Sequence, residues 1–180
     1  MSTPSTELLI CLAFRNGLIE GLQLDPSQVH IGIMKMRDAN WQGKPFYLVV
    51  PGAARPDGGG VGAQEGGSLI RTQEFSIHFY GQSKLDQYSQ SDSALFSETY
   101  GTLNNFEAIR QLFAYTFFGT QDGTATLLSE PAQLSRESMT VWEDADNGIF
   151  SREFVFTCQY SLVLPSAITL FYSDVANTPL

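Results

Sequence analysis

Hydrophobic or long side chains near the amino terminus recur at the spacing of an α-helix. They lie three or four positions apart, at Leu8, Leu12, Arg15, Ile19 and Leu22. Thr3 as a cap, followed by Pro4 in the first turn, predicts where this helix begins. It should end before Pro26, because the residue preceding a proline is pushed out of the helical region. The chain is therefore expected to open with an amphipathic helix.

Three segments after this helix have the composition of β-strands. They are residues 29–36, 45–50 and 69–80. In the third segment Phe75, Ile77 and Phe79 share one face, and polar residues alternate with them. Residues 37–44 lie between the first two segments and predict a hairpin loop, with Trp41 at its tip.

Residues 51–67 have no hydrophobic periodicity and hold seven glycines among 17 residues. This composition predicts a long flexible loop that belongs to no helix or strand. The run Gly58, Gly59 and Gly60 superficially resembles a dinucleotide-binding loop, which must follow a strand and open a helix. Here a strand follows instead, so we interpret these glycines as part of a surface that contacts another chain.

Helical spacing returns between residues 92 and 118. The apolar positions are Phe96, Tyr100, Leu103, Phe106, Ile109, Phe113 and Phe117. Asn104 and Glu107 have the spacing of a capping box, so the regular part of the helix is expected to begin there. Gly119 is placed to end it in the left-handed conformation. We expect this central helix to bury its aromatic face, including Phe117, against the strand that carries the phenylalanines.

The last strong pattern is a β-hairpin around Asn147 and Gly148, a pair that suits a type I′ turn. Its strands are residues 135–143 and 150–164, and a shorter strand is expected at residues 124–128. If the turn is two residues long, the numbers of paired positions sum to 295, which sets Glu143 opposite Arg152.

The second strand of this hairpin is longer than a domain of this size normally needs. Apolar residues occupy every second position from Phe150 to Leu164, apart from Arg152. At about 3.3 Å per residue this strand would span roughly 50 Å. Part of the hairpin is therefore expected to bend or to project toward another subunit, with Trp142 and Phe150 at the contact.

The chain carries 19 acidic and 10 basic side chains, for a formal net charge of −9. Such a surface repels phosphate and anionic lipid, which argues against binding to nucleic-acid grooves. No apolar run approaches the roughly 20 residues that cross a bilayer, so the protein is expected to be soluble and to fold in a cytoplasm. Cys11 and Cys158 sit in apolar patterns and are expected to be reduced core residues.

The sequence offers no set of residues for catalysis, a cofactor or a metal ion. His30 and His78 lack a nearby Cys, His or paired carboxylate at ligand spacing. Glu143, Asp144 and Asp146 cluster at the hairpin tip without the spacing of a calcium loop. We expect these acids to form an electrostatic contact surface, and the protein to have no enzyme activity.

These elements predict a single α+β domain over residues 1–164. A mixed or antiparallel sheet would carry the N-terminal helix and one central helix, and it would end in the long C-terminal hairpin. Residues 165–180 form a tail that we interpret as an interface. Its contact residues would be Ile168, Leu170, Phe171 and Tyr172.

The order of these elements, from residue 7 to residue 164, is similar to that of the tail terminator proteins of long-tailed bacteriophages. Two local stretches contribute to the resemblance, FSIHF at residues 75–79 and LSRES at residues 134–138. The loop at residues 51–67 and the tail after Pro165 depart from it. Either departure could instead mark a neighbouring neck or tail-completion protein.

The resemblance implies a subunit that closes into a ring of six on the last ring of the tail tube, at the head-proximal end of the virion tail. The ring would stop tube growth and offer a surface to the head connector, while DNA only passes through its lumen. Its partners would be its own copies, the tail tube protein and the head completion or connector protein, assembled in the host cytoplasm. A competing interpretation is a monomeric α+β domain for a small molecule, which needs polar groups converging beside an apolar pocket.

Overall fold

Over the residues that the structure describes, the protein folds as a six-stranded mixed sheet with two helices on one face. This is the α+β architecture predicted from the sequence. The computed structural model describes residues 5–32, 45–56, 68–82, 102–119, 126–144 and 149–163. The helices are α1 (Thr6–Gly21) and α2 (Thr102–Phe113), and the strands are β1 (Val29–Ile31), β2 (Phe46–Pro56), β3 (Ser68–Gln82), β4 (Gln133–Glu137), β5 (Val141–Asp144) and β6 (Ile149–Val163).

The sheet is built around β3 and β6, which pair along 15 residues. This ladder runs from Ser68 opposite Val163 to Gln82 opposite Ile149. The strand order is β1-β2-β3-β6-β4, and β5 pairs with β6 on the side that β4 occupies. All neighbours are antiparallel except β1 and β2, which are parallel.

The parallel pairing of β1 with β2 corrects the sequence prediction for this region. A hairpin loop at residues 37–44 would make its two strands antiparallel, so that prediction is wrong. β1 is followed by Gly32, whose φ of 103° is a backbone conformation that favours glycine. Trp41, predicted at the tip of the loop, lies outside the described residues.

β2 extends to Pro56 and so includes the first six residues of the predicted glycine-rich loop. The register with β3 shifts between Pro51 and Ala54, where a bulge takes up the extra residues. At this bulge the side-chain amide of Gln73 donates to the carbonyl oxygen of Gly52 at 3.1 Å. This bond stabilises a strand where the composition predicted none. The remainder of the predicted loop lies outside the described residues.

The N-cap of α1 is Ser5 and not Thr3, the predicted cap. The Ser5 hydroxyl accepts a hydrogen bond from the backbone amide of Leu8 at 3.2 Å. The buried side chains of α1 are Ile10, Cys11, Phe14 and Leu18. The predicted stripe began at Leu8, which is exposed, so its phase was wrong. Apolar residues surround most of this helix, and spacing alone therefore does not determine which face meets the sheet.

α2 ends at Phe113, five residues before the predicted end at residue 118. Tyr115, with a φ of 61°, adopts the left-handed conformation that was predicted for Gly119. The chain therefore leaves the helix axis early and returns to the sheet. As a result Phe118 is buried and Phe117 is 53% exposed, so the predicted burial of Phe117 was wrong.

The C-terminal hairpin pairs in a different register from the predicted one. Trp142 lies opposite Phe150, so the numbers of paired positions sum to 292 at this point. The register shifts at Glu143, and a break separates β4 from β5. The predicted pair of Glu143 with Arg152 is therefore wrong. The carboxylate that Arg152 contacts is that of Glu137.

Two smaller predictions concern the segments beside this hairpin. Residues 124 and 125 of the predicted short strand at 124–128 lie outside the described residues, and its described part contains a bridge between Gly119 and Thr126. The Asn147 and Gly148 turn falls outside the described residues. The strand order of the sheet depends on neither segment.

Phenylalanine rings fill the space between the helices and the sheet. The ring centroid of Phe14 lies 4.7 to 5.9 Å from those of Phe75, Phe113, Phe118 and Phe156. The close approach of the two helices depends on Gly17, because a Cβ atom there would lie 2.7 Å from the Phe113 ring. The predicted burial of Phe106 and Phe113 is confirmed.

Cys11 and Cys158 are buried and free, as predicted. Burial raises the pKa of the Cys11 thiol to about 11 and that of the Cys158 thiol to about 12. Both thiols are therefore protonated at neutral pH. Because the thiolate is the reactive form of cysteine, they behave as small core residues.

Phe113→Ala should lower the free energy of unfolding by about 3 to 5 kcal/mol, because it removes a ring from the centre of this cluster. Phe117→Ala removes the same group from an exposed position and should change stability by less than about 0.5 kcal/mol. Urea denaturation of both variants beside the parent measures the two losses. A Phe113→Ala variant as stable as the parent would contradict this core.

Candidate interaction surface

The outer side of β4 and β5 exposes large apolar side chains. Met139 is 83% exposed, Val141 53% and Trp142 56%. Within the described ranges, no strand pairs with this side of β4 or β5. Lysine and proline, two of the residues that often shield sheet edges, are absent from residues 133–144. We call Met139, Val141 and Trp142, together with the backbone of β5, the outer edge.

Trp142 is held in its exposed position by a buried ring. Its indole contacts Phe150 at a centroid distance of 5.9 Å and an interplanar angle of 72°. Phe150 is only 2% exposed and lies 5.9 Å from Phe79 in the core. Its predicted place in the contact surface was therefore wrong, because β6 turns this ring inward. Phe150 supports the tryptophan from beneath.

Two acidic residues follow Trp142 in the sequence. Glu143 is exposed, and its carboxylate accepts a hydrogen bond from the hydroxyl of Ser151. Asp144 follows at the end of β5, opposite Ile149. The outer edge therefore combines apolar side chains with negative charge, a composition that favours partners without acidic groups.

The opposite side of the described sheet ends at the short β1, which pairs with β2 at Tyr47, Leu48 and Val49. Beyond these positions β2 carries Pro51 and Pro56, and a proline has no N–H group to offer to an incoming strand. The two sides of the described sheet therefore differ, since one ends in a short strand beside two prolines and the other in the apolar outer edge.

A carboxylate between two arginines fixes β4 to the core. Glu137 accepts from Arg110 of α2 at 2.7 and 3.0 Å, and it lies 2.5 Å from Arg152 of β6. These hydrogen bonds raise the pKa of Arg110 further, against the effect of burial. The guanidinium of Arg152 also lies 4.7 Å from the ring centroid of Phe106. The network therefore joins β4, which leads into the outer edge, to α2 and to β6.

A second polar cluster lies on the sheet face opposite the helices. Glu153 accepts from the Ser76 hydroxyl at 2.9 Å and lies 3.7 Å from His78 and 3.6 Å from Arg136. In a catalytic triad the histidine stands between the serine and the acid. Here the Ser76 hydroxyl donates its hydrogen bond directly to the acid, so His78 does not stand between them. The arrangement links β3, β4 and β6 across the sheet.

The other histidine also has structural contacts. His30 has its Nε2 atom 2.8 Å from the backbone carbonyl oxygen of Ser27. Its ring lies against Phe46 at a centroid distance of 5.0 Å. These contacts connect the short β1 to the turn before it and to β2.

No family model matches this chain, and no curated protein sequence is significantly similar to it. Neither described helix is long and apolar enough to span a membrane. In the same residues, His, Cys, Asp and Glu side chains do not gather in groups of three that could hold a metal ion. The function has to be inferred from the outer edge and from the order of the elements.

Only part of the predicted contact surface falls within the described residues. Trp142 and Glu143 are exposed there, at the end of the outer edge. Outside the described ranges lie Trp41, Gly58, Gly59, Gly60, Asp146, Ile168, Leu170, Phe171 and Tyr172. Met139 and Val141 were not predicted as contacts, because the wrong register set them opposite the core rings of β6. The register changes at the bulge at Glu143, and no pattern of residues in the sequence predicts this bulge.

Glu137→Ala should lower the free energy of unfolding by about 2 to 3 kcal/mol, because it removes the carboxylate that Arg152 contacts and leaves Arg110 with only the exposed Glu107. Glu107→Ala removes an exposed partner of the same Arg110 and should cost less than about 0.5 kcal/mol. Chemical denaturation distinguishes the two. Equal stability of Glu137→Ala and the parent would show that the network does not anchor β4.

His78 should make the protein less stable as the pH falls. Burial lowers the pKa of His78, although the Glu153 and Glu143 carboxylates oppose this shift. The unfolded chain therefore binds this proton first below the usual histidine pKa of about 6.5, and folding loses stability there. Between about pH 7 and about pH 5, His78→Gln should lose less unfolding free energy than the parent in urea titrations. A His30→Gln variant is the control, and equal slopes for His78→Gln and the parent would contradict this role.

Proposed function

We propose that this protein is a virion structural protein, a ring-forming tail terminator that caps the tail tube and joins it to the head connector. The observation that carries the proposal is the open apolar outer edge, with Met139, Val141 and Trp142 all more than half exposed. Exposed apolar surface of this kind usually marks a contact with another protein. A partner along this edge would cover both its side chains and its backbone.

The order of the elements supports the same proposal. A helix, two strands, the long β3, the central α2 and the strands β4 to β6 follow one another in the order of the resemblance, although the first two strands are parallel where the resemblance has a hairpin. The local stretch at residues 75–79 lies in the centre of β3, and the stretch at residues 134–138 covers β4 and its end. The segments that carry the resemblance are therefore regular parts of the fold.

Two unlike edges on one sheet suit a ring. In a head-to-tail ring each subunit offers one surface to the preceding copy and a different surface to the next. The side that ends in β1 and the side that ends in the outer edge provide two different surfaces. The net charge of −9 is compatible with a lumen through which DNA passes without being held.

Deleting the gene from the virus that carries it tests the proposal. Tails should then grow beyond their normal length and remain separate from heads, because nothing stops the tube or offers a surface to the connector. Electron microscopy of negatively stained particles measures both effects. A plasmid copy with Ile70→Lys, a change at an exposed apolar residue away from the outer edge, should restore normal tails. A copy with Met139→Lys and Val141→Lys should not.

Two results would decide against a terminator. Tails of normal length joined to heads in the deletion strain would exclude a role at this junction. Tails of normal length that stay separate from heads would identify the protein as a neighbouring neck protein instead.

A further inference from the structure

We infer that the outer edge of one copy binds the C-terminal segment Ile168–Tyr172 of the next copy as an added strand. The inference rests on the proposed ring, because it names the contact that would join neighbouring subunits. An extended segment that pairs with an open edge satisfies the backbone groups of that edge and covers its side chains. Such pairing needs a segment that is apolar, free of acidic residues and able to reach the outer edge.

The reach of the chain decides between the same copy and the next one. β6 pairs with β3 without interruption up to Val163, which fixes where the tail starts. Trp142 lies opposite Phe150, thirteen residues back along β6, or about 43 Å away. Tyr172 is nine residues beyond Val163 and reaches at most about 32 Å, and Ile168 at most about 18 Å. The segment therefore cannot pair with β5 of its own subunit.

The composition of the segment fits the outer edge. Residues 164–173 carry no charged side chain, so Glu143 and Asp144 do not repel them. Ile168, Leu170 and Tyr172 alternate with Thr169 and Phe171, which is the pattern of a strand with two usable faces. In a chain with a net charge of −9, an uncharged apolar run suits an edge that includes acidic residues.

Mixing two defective variants tests the exchange. One variant ends at Pro165 and keeps an intact edge without a donor segment. The other carries Met139→Lys and Val141→Lys and keeps the donor segment with a blocked edge. Each should be a folded monomer of about the single-chain mass of 19.8 kDa, whereas the parent forms larger species. Together they should form a one-to-one complex of twice that mass in sedimentation velocity experiments.

Controls separate lost contact from lost folding. Circular dichroism and thermal melting should match the parent for both variants. The full-length Leu170→Lys variant should reproduce the truncation without shortening the chain. Ile70→Lys makes the same kind of change at an exposed apolar residue of β3, away from the outer edge. This variant should assemble like the parent.

Several outcomes would overturn the inference. A mixture that stays monomeric while the parent assembles would exclude exchange of this segment. So would a truncated protein that assembles like the parent, or a parent that is monomeric at every concentration. Strand exchange with normal tails in the gene deletion would reject only the terminator function. Overgrown tails in the deletion, with a monomeric parent protein, would reject only the exchange.

Discussion

The 15-residue ladder between β3 and β6 is the interaction on which the rest of the structure depends. It sets Phe75 opposite Phe156 and Ile77 opposite Phe154, so that four large side chains project level from one face. Both helices pack against that face, and β2, β4 and β5 take their positions from the two outer sides of the ladder. A slip of one residue in either strand would turn the two buried side chains of that strand to the other face, so burial of this face fixes the register of the ladder.

The outer edge is connected to this ladder by charge as well as by apolar contact. Glu137 of β4 lies between Arg110 of α2 and Arg152 of β6, and Arg152 in turn covers the ring of Phe106. Breaking such a pair leaves an uncompensated charge that is expensive to bury. The edge strands are therefore held to a rigid support although their outer side is open. A contact surface built on such a support loses little conformational freedom when a partner binds.

The parts of this fold that could be predicted are those where the apolar residues follow a single clear periodicity. Strict alternation in β3 and β6 identified both strands and their buried faces. α1 was predicted with the wrong phase, because apolar residues surround most of it and only the packing of Phe14 selects a face. Of the contact surface, Trp142 was predicted, but Met139 and Val141 were hidden by a register that a bulge changes. A bulge depends on the hydrogen bonding of the whole sheet, so short-range patterns do not reveal it.

The open edge carries a risk of uncontrolled association. An uncovered apolar edge promotes uncontrolled pairing, and β2 shows the usual protection, with prolines and a short covering strand. The net charge of −9 opposes association at a distance, but this repulsion is screened beyond about 8 Å at physiological ionic strength. Only a partner that fills the edge closely gains enough from the contact to offset the remaining repulsion. The two sides of the described sheet end in unlike strands, and a head-to-tail ring requires two unlike surfaces on each subunit, whereas a two-fold dimer does not.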